Sequence, residues 1–297
     1  MKNDILILLS TYNGEKYLSE FLDSIYDQEN VKVKLLIRDD GSTDKTVDII
    51  HDYSAKLDIE LLVGVNIGVE NSYRELIEKA SSAKYYFFAD QDDIWLRNKV
   101  YSAIQKLDLK EPSVYYSSAT LIDNNKFVLG RTNLKENFSL EKIFIGNTMI
   151  GCTMAFNQTF LNILKETYAS NRILHDAWAA RIAGAIEAEV FFDKEPKILY
   201  RQHGENVVGI KKGFMKRITK GYHTTIRNKN SKSNLAKEVL LRCDKYLSNE
   251  SRKKIEIIAY YRKNIRYRLS ILLNRKYRKD HFIYTILFKI SVIMGYF

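Results

Sequence analysis

Three carboxylates, Asp90, Asp92 and Asp93, fall within four positions directly after the apolar run that begins at Tyr85 (YYFFADQDD). A short apolar run that breaks into polar residues reads as a buried strand of a parallel sheet. Ligands of open α/β sheets sit beyond the carboxyl ends of such strands. Three like charges at a sheet rim repel unless a cation neutralises them. Hard carboxylate oxygens suit Mg²⁺ or Mn²⁺, held by one or two carboxylates together with a substrate diphosphate. The competing reading is a solvated acidic loop that caps the next helix, and the run alone fits both.

A second acidic stretch, Asp39-Asp40-Gly41-Ser42-Thr43-Asp44, follows the apolar run Val31–Ile37. A carboxylate at a strand end can accept from a pyrimidine N–H or a ribose hydroxyl, and Gly41 permits a tight turn. Asp44 stands where a helix begins, so its expected part is structural. Asp39 and Asp40 are the binding candidates. The first apolar run, Ile5–Leu9, ends in Ser10, Thr11, Tyr12 and Asn13. Tyr12 either stacks on a base or packs in the turn.

These residues need a frame. Five consecutive apolar residues at Ile5–Leu9 are too few for a signal-peptide core and read as the first strand. Gly14–Gln28 carries Tyr17, Leu18, Phe21, Leu22 and Ile25 at helical spacing. Strands at Val31–Ile37, Ile59–Val63 and Tyr85–Ala89 alternate with helices at Asp44–Tyr53 and Ser72–Ala80. That order predicts a parallel sheet covered by helices on both faces, of the nucleotide-binding type. Further expectations are a helix at Asn98–Leu107 and strands at Val114–Ser118, Thr120–Val128 and Lys197–Arg201. Helices are expected at Leu235–Leu247, Arg252–Leu273 and Phe282–Phe297, with a polar linker at Arg227–Ser233.

The segments LLSTYNGEKYLSEFLDSI, RDDGSTDKT, NIGVENS and FADQDDIW, in this order and spacing, resemble the inverting glycosyltransferases of family 2 over roughly residues 3–210. The DQDDIW form, with His-Asp before an aromatic and YRQHGENVVG later, is similar to bacterial rhamnosyltransferases of cell-surface polysaccharide assembly, in capsule or cell wall. The resemblance implies a GT-A fold: a mixed, mainly parallel sheet flanked by helices over residues 1–210, then a basic helical extension over 211–297. It implies that Thr11, Tyr12, Asn13, Asp39 and Asp40 contact the nucleotide. Asp90 and Asp92 form its DXD motif, with Asp92 the direct metal ligand and Asp93 orienting the donor or a metal-bound water. Asp176 becomes the general base; His175 stands where the family usually has Glu, which leaves its own part open beside the acceptor. His203 matches a histidine that ligates the metal in some members.

On residue physics alone, Asp176 also reads as an acid at a helix start. Trp178 reads as core or acceptor lining, His203 as a loop histidine or ligand, and Arg201 as a phosphate neutraliser or a surface ion pair. Inverting transfer is an in-line displacement at the anomeric carbon that needs one base and stabilisation of the leaving diphosphate. A glycosidase would need two flanking carboxyl groups.

Composition limits the remaining classes. Hydrophobic residues make up 45% of 297 and only two are proline, which excludes a disordered chain. Cys152 and Cys243 form no metal-spaced motif and suit a reduced, cytoplasmic setting. The net charge of +11 is divided: residues 1–210 hold 24 Lys and Arg against 31 Asp and Glu, whereas 211–297 hold 23 against 5, or +18. The basic end is expected to lie on the anionic inner face of the cytoplasmic membrane. A packed or dimeric interface competes with that, and nucleic acid is not expected because no binding motif accompanies the charge. The expected donor is dTDP-L-rhamnose and the acceptor a lipid-linked oligosaccharide, with Mn²⁺ or Mg²⁺. The alternatives are a UDP-hexose or UDP-N-acetylhexosamine donor, or a non-catalytic nucleotide-sugar-binding scaffold.

Overall fold

The computed structural model describes residues 4–132, 134, 136, 138–146, 149–168, 173–202, 231–279 and 282–297. The chain forms two compact units, Met1–Glu136 with Met149–Ala179 and Ala188–Asn206, and Asn137–Thr148 with Ala180–Glu187 and Val207–Phe297.

The first unit holds a nine-stranded sheet. Its strands are β1 (Ile5–Thr11), β2 (Lys34–Asp39), β3 (Asp58–Val63), β4 (Tyr85–Asp90), β5 (Ile94–Trp95), β6 (Ser113–Ile122), β7 (Val128–Arg131), β8 (Met154–Asn157) and β9 (Glu189–Arg201). They run in the order β3-β2-β1-β4-β8-β6-β9-β5, with β7 on β6. The first four are mutually parallel. β8 is antiparallel to both β4 and β6, so the sheet is mixed and mainly parallel, as expected. Ile5 to Leu9 are all buried, the pattern of a strand covered on both faces. Helix α1 (Leu18–Tyr26) buries Leu18, Phe21, Leu22 and Ile25, an i, i+3, i+4, i+7 stripe that follows from its apolar spacing. The same core takes in Leu35, Ile37, Phe87, Trp95 and Ile198. Helices α2 (Thr46–Tyr53), α3 (Val69–Lys79), α4 (Lys99–Ile104) and α6 (Gln158–Thr167) complete the connections, and α7 (His175–Ala185) begins here.

The second unit contains α5 (Leu140–Ile145), α8 (Ser231–Arg242), α9 (Asn249–Tyr260), α10 (Ile265–Leu273) and α11 (Phe282–Ile293). Several expected elements have different bounds. The strands expected at Val114–Ser118 and Thr120–Val128 join across Ala119 as β6, which ends at Ile122, and Val128 opens β7; the irregular register against β9 falls at Ser117-Ser118 and Ser118-Thr120. The strand expected at Lys197–Arg201 is the end of the longer β9. The helix expected over Arg252–Leu273 is two, since Asn264 leaves helical geometry and its side chain caps the N–H groups of Arg266 and Tyr267. The last helix stops at Ile293. Gly295, at φ 73, closes it with the bonds Gly295 N–H to Val292 O and Tyr296 N–H to Ser291 O, the Schellman arrangement. Of the expected linker, residues 227–230 lie outside the described residues, and the rest opens α8.

Candidate active site

The carboxyl ends of β2, β1 and β4 lie side by side. Thr11 is in register with Asp39 and Ser10 with Asp90, so the adjacent strands deliver the three motifs to one rim. What each side chain does there differs.

The Asp39-Asp40 pair has structural partners. Asp39 is fully buried and accepts from the Thr11 hydroxyl (2.9 Å), the Ser42 N–H (2.8 Å) and the Ser42 hydroxyl (2.6 Å). Asp40 pairs with the buried Arg38 guanidinium and accepts the N–H groups of Ile67 (2.7 Å) and Gly68 (2.9 Å). Arg38 in turn bonds Glu75 Oε2 (2.9 Å), Ser72 Oγ (3.0 Å) and Val65 O (3.0 Å). Gly41, at φ 78, turns the chain between them; a Cβ there would stand 3.1 Å from Asn66 N and Gly64 O. The Thr11, Asp39 and Asp40 side chains, expected at the nucleotide, also brace the rim through these bonds. Asn13 Oδ1 accepts from Thr43 N–H (2.9 Å), and Asp44 accepts from Thr46 N–H (3.0 Å), the structural part expected of it. Tyr12 remains open to solvent, 47% exposed.

Gln91, the middle residue of the DXD motif, is a clip. Its amide accepts the Tyr12 N–H and donates to the Tyr12 carbonyl, both at 3.0 Å, joining the loop after β4 to the loop after β1. A side-chain amide carries the same donor and acceptor as a peptide, which is why this residue type bridges two backbones. Gly14 makes room, since a Cβ on it would lie 2.4 Å from Gln91 Oε1.

Arg201 differs most from expectation. Its side chain is 1% exposed. Nε donates to the Asp92 carbonyl (2.9 Å), one terminal nitrogen to the Asn124 carbonyl (3.2 Å) and the other to Glu20 Oε2 (2.5 Å). The guanidinium lies over Tyr17, 4.7 Å from the ring centre, and the Arg201 backbone N–H donates to Asp93 Oδ1 at 3.0 Å. Arg201 is thus a buried clamp on the acidic loop, not a phosphate ligand at the surface.

Beneath the rim, ligand atoms of Asp90, Asp93 and Cys152 come within 4.8 Å of one another. Burial first, then the charges of Asp92 and Asp176, push the Asp90 carboxyl up to about 7. Burial first, then the charges of Asp92 and Asp90, raise Asp93 well above the carboxylate range. Asp93 is inaccessible, and its Oδ2 meets no hydrogen-bonding partner among the described residues. Burial also raises the Cys152 thiol, with Asp93 and Asp90 adding to it. Lys99 supplies the counter-charge: its buried ammonium donates to the Cys152 carbonyl and lies 4.0 Å from the Trp95 ring centre. Burial lowers it to about 8 against the pull of these acids. Cys152, Lys99 and Gln91 went unread in the sequence. Lys99 lies on an apolar helical face, where only a mismatch between residue type and position could have pointed to it.

Asp176 opens α7 and accepts the Gly151 N–H at 3.2 Å. Gly151 has to be small, because a Cβ there would fall 2.6 Å from His175 Nε2 and 3.3 Å from Asp176 Cβ. His175 is buried; its ring stacks on Tyr73 at 3.4 Å between centres and meets the edge of Phe88. Burial depresses it to about 3. Trp178 is fully buried. His175 and Trp178, expected beside the acceptor, both lie buried in the chain on its own. His203 lies outside the described residues.

The surroundings of this rim are matched elsewhere. The description "Glycosyl transferase family 2" fits residues 6–167. The dTDP-rhamnosyl transferase RfbG of Shigella flexneri is 30% identical over 221 residues, 69% of this chain and 75% of that protein. The UDP-Glc:alpha-D-GlcNAc-diphosphoundecaprenol beta-1,3-glucosyltransferase WfgD of Escherichia coli is 29% identical over 159 residues, 53% of this chain and 62% of that one. The crystal structure of S. aureus TarS 1-349 in complex with UDP-GlcNAc superposes with a TM-score of 0.62 at 16% identity, covering 98% of this chain and 81% of that one, and shares its GT-A fold. With its acidic strand ends, its mixed sheet and these matches, the chain belongs to glycosyl transferase family 2 and is a glycosyltransferase.

Proposed function

We propose that the protein transfers L-rhamnose, with inversion, from dTDP-L-rhamnose to a lipid-linked oligosaccharide during assembly of a bacterial surface polysaccharide. The observation that carries the catalytic part is electrostatic: Asp176, at the start of α7, is close enough to Asp90, at the end of β4, to raise its affinity for a proton. This supports a reading in which a base and a diphosphate-side acid cluster work together although the sequence separates them widely.

The acids of this rim suit a divalent cation. Like charges converging on Asp90 call for a cation, and carboxylate oxygens suit Mg²⁺ or Mn²⁺. Cys152 does not belong to that set: raised by burial, it is a protonated thiol at neutral pH, and a soft donor besides. Asp93 is inaccessible and already bonded to Arg201. Asp90 and Asp92 are the residues that would hold the metal. When bound, it supplies positive charge to the departing diphosphate.

The chain's own residues supply the rest. Exposed Tyr12 offers a face for the base of the nucleotide. Gln91 and Arg201 fix the loop that carries Asp92. Asp176 takes the proton from the acceptor hydroxyl as its oxygen bonds to the anomeric carbon and the carbon–oxygen bond to the diphosphate breaks. The nucleotide diphosphate leaves without needing a proton. The rhamnose assignment draws on the resemblance to RfbG, and the lipid-linked acceptor on the character of the relatives. Family membership sets aside the non-catalytic scaffold.

Thermal stability against dTDP, UDP and their sugars, with and without Mn²⁺, tests the reading. A ligand at 100 times its Kd adds about 2.7 kcal/mol. The expected result is metal-dependent stabilisation by dTDP-rhamnose that is lost in Asp92→Asn, and transfer abolished in Asp176→Asn with donor stabilisation retained. A UDP-selective shift would overturn the donor, and full transfer by Asp176→Asn would overturn the base.

A further inference from the structure

Helix α11 is apolar on its outer face. Its solvent-facing positions are Phe282, Ile283, Ile286, Ile290 and Ile293, followed by Met294, all of them apolar, with Phe282 at 79% exposure. Its buried face is Thr285, Phe288, Ser291 and Val292. Helix α10 repeats the pattern at four-residue spacing, where Ile265, Leu269 and Leu273 are 66%, 45% and 76% exposed. Between the two helices run Arg275 and Arg278, both exposed. Contiguous exposed aliphatic stripes of this kind mark an interaction surface.

We propose that α10 and α11 dock the protein in the plane of an anionic lipid bilayer, the aliphatic stripes entering the acyl boundary and the arginines and lysines around them meeting lipid phosphates. Three observations select this occupant. Charge complementarity is the first: residues 211–297 carry +18, which draws the segment to an anionic surface. The same charge opposes a second copy of the chain, because two such faces would bring like charges together. Nucleic acid would use the charge but leave the aliphatic stripes in water. The geometry excludes a span. None of the described helices is long and apolar enough to cross a membrane, and the 12 residues of α11 cover about 18 Å against roughly 30 Å of hydrocarbon. An interfacial helix has the composition seen here, aliphatic on one face with basic residues beside it. The inference stands independently of the donor and acceptor proposed above.

The test is co-sedimentation of the full chain with vesicles of phosphatidylcholine alone or mixed with phosphatidylglycerol, beside light scattering without lipid. Binding is expected only to the anionic vesicles and should weaken as salt is raised. Ile286→Glu with Ile290→Glu should reduce partitioning by roughly tenfold or more. Arg275→Ala and Arg278→Ala should each cost about fivefold. All these positions are exposed, so melting temperature and nucleotide-induced stabilisation should stay at parental values, which separates failure of the surface from failure of the catalytic reading. The proposal is overturned if the anionic vesicles do not bind the chain, if the glutamate variants bind them as well as the parent, or if the chain is a dimer without lipid that these variants dissociate.

Discussion

Arg201→Met separates a structural clamp from a phosphate ligand. Methionine keeps much of the aliphatic volume and deletes the guanidinium. Bonds to the Asp92 and Asn124 carbonyls go, each worth about 1 kcal/mol. The charge-assisted bond to Glu20 goes as well, worth about 1.5–3 kcal/mol when enclosed. Glu20 is 38% exposed, so water recovers part of that term and the lower end applies. Loss of the cation from the Tyr17 face adds about 0.5–1 kcal/mol. The sum, about 4 kcal/mol, corresponds to a melting temperature lowered on the order of 10 °C. The assay is thermal and urea unfolding without nucleotide, followed by nucleotide titration. A clamp predicts the full loss before any ligand is added. A double variant with Glu20→Gln should lose less than the two singles together, because they share one bond. The pH dependence has a definite sign. Burial raises the Glu20 carboxyl, but the Lys126 bond and the Arg201 charge outweigh it and hold it below its ordinary value of 4.5. The stability it contributes is present above that value and disappears as pH falls below it. If Arg201→Met melted within 2 °C of the parent (about 1 kcal/mol at most) and lost only nucleotide stabilisation, the clamp would be refuted.

Other changes probe the remaining parts. Gly151→Ala forces a Cβ to within 2.6 Å of His175 Nε2; it should cost about 1–3 kcal/mol and depress sugar transfer more than donor binding, read by comparing turnover with nucleotide-induced stabilisation. Burial lowers His175 from 6.5 to about 3, so between those values the unfolded chain binds the extra proton. Stability should therefore fall with acid by up to about 1.4 kcal/mol per pH unit, and His175→Phe should flatten that slope in urea titrations across pH 4–6.5. Gly41→Ala, at φ 78, should destabilise by about 1 kcal/mol or more; unchanged urea midpoints would contradict the tight turn. Asp93→Asn should retain metal-dependent nucleotide stabilisation that Asp92→Asn loses, and equal loss in both would show that Asp93 is a ligand.

The parallel half of the sheet was legible because two of its strands are unbroken apolar runs, Ile5–Leu9 and Tyr85–Ala89, and the helices between strands carry apolar stripes. The motifs at the strand ends were legible for the same reason: polarity changes abruptly where a buried strand meets the rim. Less legible was which carboxylates face outward. Asp39 and Asp40 look like ligands in a string, yet their partners, Thr11, Ser42, Arg38 and two backbone N–H groups, lie up to 28 residues away. Arg201 is further still, 181 residues from Glu20; no local pattern encodes a contact of that range. Asn264 and Gly295, by contrast, were readable as a cap and a stop, and apolar periodicity alone ran past both.

The four acids of the site are not equivalent, and the framework is what distinguishes them. Asp93 is enclosed beside Asp92 and Asp90, and burial with those charges favours the neutral acid, outweighing the Arg201 N–H and the Cys152 thiol, which favour the carboxylate. That removes one negative charge from the cluster without removing its oxygens. Lys99 partly offsets a second charge from below, yet it cannot reach the rim, because its ammonium is bonded to the Cys152 carbonyl against Trp95. Asp176 is held at the start of α7 by the Gly151 N–H. The Asp90–Asp92 pair stands at the end of β4, on a loop clipped in position through Gln91 and Arg201. A metal–diphosphate bound at this rim would therefore meet the acids in fixed positions, with Asp176, the proposed base, near enough to act on Asp90.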